Sequence, residues 1–381
     1  MKSSQSGPYR VGVIGFAHMH VNELVGRFAS CGRARIVACA DTVPKTPSRT
    51  KVEGSRHANL MRALSAPGAP RAYQDYRELL DKEELDIVIM CPENARHGEV
   101  AEAAASHGAH ILTEKPMAAR LDEARGMAAA ASKAGVSLGV NWPSTWIPQF
   151  RRLKELVDAA AIGDLWELKF RNWASLGPLA HGSLHPGSTT IGLVSDDEKA
   201  DEWWHQAEAG GGALLDYCCY GACLAAWLFP EPPTSVQCLK TNLYSRYGDA
   251  EDNAAMLIRF PSAMAILEAS WTTVHNGVSS GPILYGSEGT IVVDGDDVLI
   301  YRDRGSKTPT AVEHGSALPP GRSNIAEEFL RHLDTGEPMH PTLETPLNLA
   351  AMAILDAGIR SAETGAATPV EKTSAKAGET P

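Results

Sequence analysis

A turn between the first apolar run and the first helical pattern carries residues that suit phosphate binding. The segment reads VGVIGFAHMHVNEL, so Gly15 and Ala17 occupy the first two small positions of a G-x-G-x-x-G pattern and His20 occupies the third. Free N–H groups at a helix start attract pyrophosphate, and a small residue lets the backbone approach it closely. We therefore predict a dinucleotide site lined by Gly15, Phe16, Ala17, His18 and His20. The alternative is a capping turn that binds no ligand.

Asp41 lies at the end of the second predicted strand, RIVACAD, about twenty residues beyond this turn. A carboxylate there can accept hydrogen bonds from an adenosine ribose, which favours NAD. A 2′-phosphate would meet the negative charge of Asp41, although Lys45 or Arg49 could offset it, so NADP remains an alternative. In the alternative without a ligand, Asp41 caps a helix or lies in a solvated turn.

The tripeptide Glu114-Lys115-Pro116 follows another apolar run. A lysine at the carboxyl end of a parallel strand faces the crevice where a nicotinamide would lie. Its ammonium can donate to a substrate hydroxyl, and its charge favours an alkoxide. We predict that Lys115 is catalytic and that Glu114 holds this lysine or the nicotinamide ribose. Taken alone, the tripeptide also fits an ordinary exposed strand exit.

Asp216 and Tyr220 are four residues apart in a predicted helix over Ala213 to Leu228, so they share one face. A carboxylate there can orient carbohydrate hydroxyls. The tyrosine is a plausible acid–base partner if a cationic lysine lowers its pKa. The alternative for Tyr220 is a half-buried core tyrosine.

Aromatic residues supply further candidates for substrate contacts. Trp203, Trp204 and His205 precede a glycine run and could stack on a sugar ring, or could simply pack the domain. We predict that Trp146 and Trp204 contact the substrate.

Two histidines and three cysteines raise the question of a zinc site. His18 and His20 form H-M-H, and Cys218, Cys219 and Cys223 cluster later in the chain. These residues lack the spacing of known zinc motifs, and H-M-H falls inside the phosphate turn. No metal site is predicted.

The predicted order of strands and helices, which must position these residues, changes near Asn141. Before it, short apolar runs alternate with amphipathic stretches, as in βαβ units around a parallel sheet. After it, two helices and a long irregular stretch precede several successive strand patterns. The predicted fold is α/β: a doubly wound parallel Rossmann sheet over residues 8–141, then an α+β domain over 142–370 with a large, mostly antiparallel open sheet. Residues 1–7 and 372–381 are polar and are expected to be disordered.

The apolar runs give the expected strand positions, and a polar loop interrupts the second domain. The loop from Leu176 to Ala200, with His181 and His185, is predicted to serve substrate entry or subunit contact. The predicted strands are Arg10 to Ile14, Ile36 to Ala40, Asp86 to Met90, His110 to Thr113, Ser137 to Val140, Leu165 to Asn172, Ser235 to Leu243, Ala254 to Phe260, Met264 to Thr272, Thr290 to Asp294 and Val298 to Tyr301.

Composition and charge exclude several classes of protein. The 381 residues carry 35 basic and 46 acidic side chains, a net charge of −11, which offers no basic surface for nucleic acid or anionic lipid. The apolar stretch from Gly211 to Phe229 is interrupted by Gly, Asp and Tyr, so no membrane span is expected. The N-terminus lacks the apolar core of a signal peptide, and the seven cysteines form no C-x-x-C pair. We expect a cytoplasmic protein with reduced thiols.

A longer segment resembles the Gfo/Idh/MocA family of NAD(P)-dependent oxidoreductases, named for glucose–fructose oxidoreductase and inositol dehydrogenase. It reads MCPENARHGEVAEAAASHGAHILTEKPMA. Cys91-Pro92-Glu93-Asn94 stands for the family's T-P-x-N turn, His97 for a histidine at the next helix start, and Glu114-Lys115-Pro116 matches unchanged. The later AGGGALLDYCCYGA is similar to the family's G-G-G-x-L-x-D-x-G-x-H/Y segment, except that Cys218 replaces the usual glycine. The resemblance extends from about Tyr9 to Val370.

This resemblance implies roles for the matching residues. Lys115 and Tyr220 would perform catalysis, Asp216 would bind substrate, and the Lys115–Pro116 peptide would be cis. NAD or NADP would be the cofactor, a carbohydrate or polyol the substrate, and the open sheets of two chains would pair in a homodimer or homotetramer. The predicted cofactor contacts of this region are Cys91, Pro92, Asn94, His97, Glu114 and Lys115.

The expected function is oxidation of a secondary hydroxyl of a sugar, polyol or glycoside, or the reverse reduction. One alternative is an enzyme that retains NAD and uses transient oxidation for glycoside cleavage or epimerisation. Another is a non-catalytic, cofactor-binding regulatory protein. Net NADH formation separates the first from the second, and binding without turnover would identify the third.

Overall fold

Two β-sheets organise the chain in this computed structural model, which describes residues 7–172, 177–180, 194–275, 277, 279 and 281–373. The strands of the six-stranded sheet are β1 (Tyr9–Ile14), β2 (Ala34–Ala40), β3 (Arg71–Tyr73), β4 (Ile87–Met90), β5 (His110–Glu114) and β6 (Leu138–Asn141). Those of the nine-stranded sheet are β7 (Leu165–Arg171), β8 (Ser235–Thr241), β9 (Asn253–Arg259), β10 (Met264–Ser270), β11 (Ile283–Gly286), β12 (Gly289–Asp294), β13 (Asp297–Tyr301), β14 (Ala311–His314) and β15 (Thr368–Pro369).

Helices cover both sheets. They are α1 (Val21–Ser30), α2 (Arg56–Leu64), α3 (Tyr76–Lys82), α4 (His97–Ser106), α5 (Leu121–Ala134), α6 (Pro148–Asp158), α7 (Asp196–Ala200), α8 (Cys219–Leu228), α9 (Ile325–Thr335) and α10 (Thr345–Thr364).

The six-stranded sheet has the order β3-β2-β1-β4-β5-β6, and every neighbouring pair is parallel. The order reverses between β1 and β4, and sheets of this kind bind ligands beyond the carboxyl ends of the strands at such a reversal. The predicted Rossmann sheet is confirmed. The prediction lacks the edge strand β3, because its three residues are mostly exposed and form no apolar run.

The nine-stranded sheet has the order β14-β13-β12-β11-β7-β10-β9-β8-β15. Its neighbouring strands are antiparallel except β7 and β10, which are parallel. The predicted large, mostly antiparallel sheet is therefore confirmed. The prediction lacks β11, β14 and β15, which are short strands of four, four and two residues.

The segment that carries Asp216 and Tyr220 differs from the single regular helix predicted for it. A π-helical turn, Leu214–Cys218, precedes α8. Glu251 anchors the start of this turn: its carboxylate accepts a hydrogen bond from the N–H of Leu214 at 3.0 Å. Because a π turn holds an additional residue, helical spacing alone does not determine how Asp216 and Tyr220 are related.

The most apolar segment of the chain and most of its cysteines are buried in the protein interior. Within the described part of the chain, Ala207–Leu228 has the length and apolar composition of a membrane span, but most of this segment is buried inside the protein. All seven cysteines are free thiols. Burial raises the pKa of Cys39 to about 12, so this thiol stays protonated at neutral pH.

Some predicted features lie outside the described residues. His181 and His185 belong to the undescribed range 181–193, and most of the predicted terminal tails falls in 1–6 and 374–381.

Candidate active site

The turn after β1 is fixed by the strand beside it. Gly15 has a φ of 83°, and a Cβ at this position would lie 2.4 Å from the nitrogen of Pro92, so only glycine fits. The N–H of Ala17 donates to the carbonyl of Cys91 at 2.9 Å. The predicted cofactor residues Cys91 and Pro92 thus shape the turn through their backbone.

Several N–H groups of this turn already have partners within the protein. The N–H of Phe16 donates to Asp41 at 3.1 Å, and the N–H of His20 donates to Nδ1 of His18 at 3.1 Å. The sequence pattern predicts free donors for a pyrophosphate. A phosphate at these positions would have to replace the Asp41 carboxylate and the His18 ring as acceptors.

His20, at the third position of the glycine pattern, reaches from the turn after β1 to the carboxyl end of β5. Its Nδ1 lies 2.7 Å from Glu114 at the end of β5, and Asn141 at the end of β6 donates to the same carboxylate at 2.9 Å. Burial by itself raises the pKa of Glu114, but His20, Lys115 and Asn141 together hold that pKa below its usual value. Glu114 is therefore an anion at neutral pH.

The same group contains donor atoms that a metal could use. One ligand atom from each of His18, His20 and Glu114 lies within 4.8 Å of the others. The Nδ1 atoms of both histidines already take part in the hydrogen bonds described above. Since His20 and Glu114 satisfy one another directly, these contacts need no ion to explain them.

Lys115 joins the end of β5 to the π turn Leu214–Cys218. Its ammonium, on a side chain only 2% exposed, donates to the carboxylate of Asp216 at 3.0 Å and to the backbone carbonyl of the same residue at 2.9 Å. Burial lowers the pKa of Lys115, yet the nearby Tyr220 and Asp216 raise it well above its ordinary value. The Lys115–Pro116 peptide is cis, as the resemblance implies.

The ring of Tyr220 lies against the ammonium of Lys115. The ammonium lies 4.8 Å from the ring centroid, and Trp142 packs edge-on against the same ring at 5.5 Å. Burial raises the pKa of Tyr220, while Lys115 lowers it by a smaller amount. The acid–base role considered from the sequence requires that the lysine lower this pKa. Because desolvation dominates instead, the phenol is neutral at ordinary pH in this structure.

Trp271 completes the group and is absent from the sequence-based candidates. Its side chain is fully buried, and its indole N–H donates to the second carboxylate oxygen of Asp216 at 3.0 Å. Asp216 is therefore held from both sides, by Lys115 and by Trp271. The only available sequence signal is the position of Trp271 one residue after β10, and it identifies no partner.

Asn94 and His97 hold the backbone around the crevice. Asn94 donates to the carbonyl of Gly210 at 2.8 Å. This contact joins the loop after β4 to the glycine run before the π turn. His97 is fully buried, and its Nδ1 lies 3.1 Å from the carbonyl of Met117. Burial lowers the pKa of His97, so a neutral ring supports the segment that follows Lys115.

The tryptophans considered as substrate contacts pack against other side chains of the protein in the structure. Trp204 is 5% exposed and packs edge-on against His18 with the ring centroids 4.9 Å apart. The indole N–H of Trp203 donates to the carbonyl of Ala17 at 3.0 Å. Both rings therefore pack on the turn after β1, which favours the packing alternative. Trp146 lies against Arg151, whose guanidinium carbon is 5.7 Å from the ring centroid.

Arg56, the first residue of α2, is a further residue that the sequence analysis missed. Its guanidinium donates to Asp41 at 2.7 Å and pairs with Glu93. Lys45 and Arg49, which the sequence suggests as partners for a 2′-phosphate, pair instead with Glu208 and Asp201.

Comparisons with known proteins identify the family of this chain. Residues 9–142 match the family model described as an oxidoreductase family with an NAD-binding Rossmann fold, and residues 150–292 match the GFO/IDH/MocA C-terminal domain. The chain is 25% identical over 308 residues to 1,5-anhydro-D-fructose reductase of Ensifer adhaerens, covering 80% of this chain and 85% of that protein.

A second relative and a solved structure extend the comparison. The chain is 27% identical over 320 residues to D-xylose 1-dehydrogenase (NADP(+)) 2 of Haloferax volcanii, covering 80% of this chain and 86% of that protein. Levoglucosan dehydrogenase in complex with NADH and levoglucosan has a similar fold, with a TM-score of 0.70 and 20% identity over 96% of this chain and 100% of that one. The chain thus belongs to the Gfo/Idh/MocA family and is an NAD(P)-dependent oxidoreductase acting on CH–OH groups.

Proposed function

We propose that this protein oxidises a secondary hydroxyl of a sugar, polyol or glycoside, or catalyses the reverse reduction. Residues 8–141 bind the dinucleotide, and residues 142–370 bind the substrate. One observation carries the proposal: the buried ammonium of Lys115, at the end of β5, meets Asp216 from the other domain. The sugar-converting enzymes among the relatives support a carbohydrate substrate.

The residues present fit a dinucleotide in the crevice. Asp41, at the end of β2, can accept from ribose hydroxyls, and Lys115, at the end of β5, lies at the edge where a nicotinamide binds in such sheets. The nicotinamide supplies the hydride acceptor or donor. The turn from Gly15 to His20 lies between these two positions in the sheet order.

Lys115 acts on the oxygen of the substrate. In the reduction, its ammonium donates a proton to the carbonyl oxygen as that oxygen gains negative charge. In the oxidation, the neutral amine accepts the hydroxyl proton. Asp216 holds the nitrogen in place and binds a neighbouring hydroxyl, while the protonated phenol of Tyr220 donates a hydrogen bond to the substrate.

The raised pKa of Lys115 predicts opposite pH profiles for the two directions. Oxidation requires the neutral amine, so kcat/KM should rise about tenfold per pH unit between about pH 7 and 9. Reduction requires the ammonium and should stay flat over the same range. Initial rates in both directions check this. A plateau of the oxidation rate below about pH 8 would show that a group of lower pKa accepts the proton.

We also propose that the protein forms a homodimer or homotetramer through the face of the nine-stranded sheet that carries Leu257 and Met264. Large apolar side chains are exposed on this face, among them Trp166 at 52%, Leu257 at 49% and Met264 at 38%. These residues surround a groove of about 570 Å³. Burial of such a patch against a second copy removes apolar area from water and caps the face.

Trp166→Glu with Leu257→Glu should shift the protein toward the monomer. Each carboxylate would be desolvated in the paired interface, which opposes association. Light scattering after size exclusion should give at least 81.4 kDa for the wild type, twice the chain mass of 40.7 kDa, and a value near one chain for the variant. Met61→Glu, at a residue 51% exposed on α2, is the matched control. A monomeric wild type would refute the proposal.

The function itself is tested with purified protein, NAD+ or NADP+, and a panel of sugars, inositols and glycosides. Net NADH or NADPH formation with at least one member supports a dehydrogenase. Substrate conversion without net NADH would indicate a retained cofactor, and dinucleotide binding with no conversion of any panel member would indicate a regulatory protein.

A further inference from the structure

Two carboxylates enclose one guanidinium at the adenosine end of the crevice. The carboxylate of Asp41 accepts from Arg56 at 2.7 Å, from the N–H of Thr42 at 2.9 Å and from the N–H of Phe16 at 3.1 Å. The other terminal nitrogen of Arg56 pairs with Glu93. Glu93 is 3% exposed and also accepts from the Thr42 hydroxyl at 3.2 Å.

Burial raises the pKa of Asp41, and the contact with Arg56 lowers it by a smaller amount; with both carboxylates ionised, this cluster carries a net negative charge. One guanidinium faces two carboxylates, and the side chain of Arg56 is itself only 11% exposed. One terminal nitrogen of Arg56 is bound to Asp41 and Thr42, and the other is bound to Glu93. A phosphate that used the fork of this arginine would have to displace a buried carboxylate from it.

The cluster lies where the adenosine ribose of a dinucleotide binds in this fold, because Asp41 directly follows β2. A ribose with free hydroxyls can donate to Asp41. A 2′-phosphate cannot donate in that way, and it would add negative charge beside two carboxylates. Lys45 and Arg49 are already paired with Glu208 and Asp201.

We propose that Glu93 is a specificity-determining residue: by holding Arg56 against Asp41, it keeps the guanidinium from a 2′-phosphate and so selects NAD over NADP. Glu93 acts through Arg56 and is a positioning residue. The inference rests on the cofactor assigned above and does not depend on which sugar reacts.

The test measures dissociation constants of NADH and NADPH by fluorescence titration without any sugar. The wild type should bind NADH at least about tenfold more tightly than NADPH. Glu93→Gln keeps the size of the side chain and removes its charge, so it should tighten NADPH binding about tenfold or more. NADH binding should change less than about threefold. Glu84→Gln, at an exposed carboxylate of the same domain, is the charge-matched control and should change neither constant.

Arg56 provides the second arm of the test. Adding Arg56→Gln to Glu93→Gln should abolish the gain in NADPH affinity, because the freed guanidinium is its source. If Glu93→Gln does not fold, Asp41→Asn frees Arg56 from the other side and should tighten NADPH binding while weakening NADH binding. An unchanged NADPH to NADH ratio in the variant that folds, or equal changes in both constants, would overturn the proposal. A wild type that prefers NADPH would also overturn it, whereas failure of every sugar in the activity panel would not.

Discussion

Lys115→Met is expected to lower kcat/KM about 10³-fold or more in both directions. In the proposed mechanism, the variant loses the proton donor of the reduction, its conjugate base in the oxidation, and the charge that stabilises the alkoxide. NADH affinity should change far less, because the remaining cofactor contacts are untouched. Steady-state rates and a separate NADH titration check the two parts of this expectation.

This variant also leaves a buried carboxylate without its cation. Asp216 is 8% exposed, so removal of its partner should cost about 3 to 5 kcal/mol of folding stability. Lys115→Arg keeps a positive charge beside Asp216 but places the donor atoms differently. It should retain most of the stability and still lose most of the activity. Lys133→Met, at an exposed lysine of α5, is the control. Activity within threefold of the wild type in a folded Lys115→Met protein would refute the catalytic role.

Asp216→Asn is expected to lower kcat about 10²-fold while the fold is kept. The amide oxygen can still accept from Lys115, but of the two groups that most raise the pKa of Lys115, Tyr220 and Asp216, only Tyr220 remains. The pKa of Lys115 should therefore fall in this variant, and the neutral amine should form at lower pH.

The pH profile distinguishes this role from a purely structural one. In Asp216→Asn, the pH profile of each direction should shift to lower pH: the oxidation rate should level off, and the reduction rate should begin to fall, at a lower pH than in the wild type. Trp271→Phe, which removes the N–H donor to Asp216, should lower kcat less and leave the profile near that of the wild type. Identical profiles for Asp216→Asn and the wild type would contradict the coupling of Asp216 to Lys115.

Much of the fold follows from local sequence patterns. The central strands of the parallel sheet are apolar runs, since both of their faces are buried, as β4 shows with four fully buried residues. The short strands β3 and β14 have mostly exposed residues, so no apolar pattern marks them. The π turn at Leu214–Cys218 depends on a hydrogen bond from Leu214 to Glu251, 37 residues along the chain, and local helical periodicity cannot reveal such a contact.

Only part of the candidate site can likewise be predicted from the sequence. Helical spacing groups Asp216 with Tyr220, and the resemblance to a family adds Lys115 to them; in the structure Lys115 contacts both. The sequence does not identify Trp271 or Arg56 as site residues, because the role of each depends on which side chain lies opposite it in the folded chain. The pKa of Tyr220 differs from expectation for the same reason, since it depends on the amount of burial, which the sequence does not specify.

A crystal structure with bound NAD+ tests the central claim most directly. The account predicts that the nicotinamide ring lies at the carboxyl ends of β1, β4 and β5, with C4 about 4 to 6 Å from the Lys115 ammonium, which leaves space for one reacting carbon and its oxygen. A nicotinamide more than about 10 Å from that ammonium, or bound on the far side of the sheet from Asp216, would contradict the account.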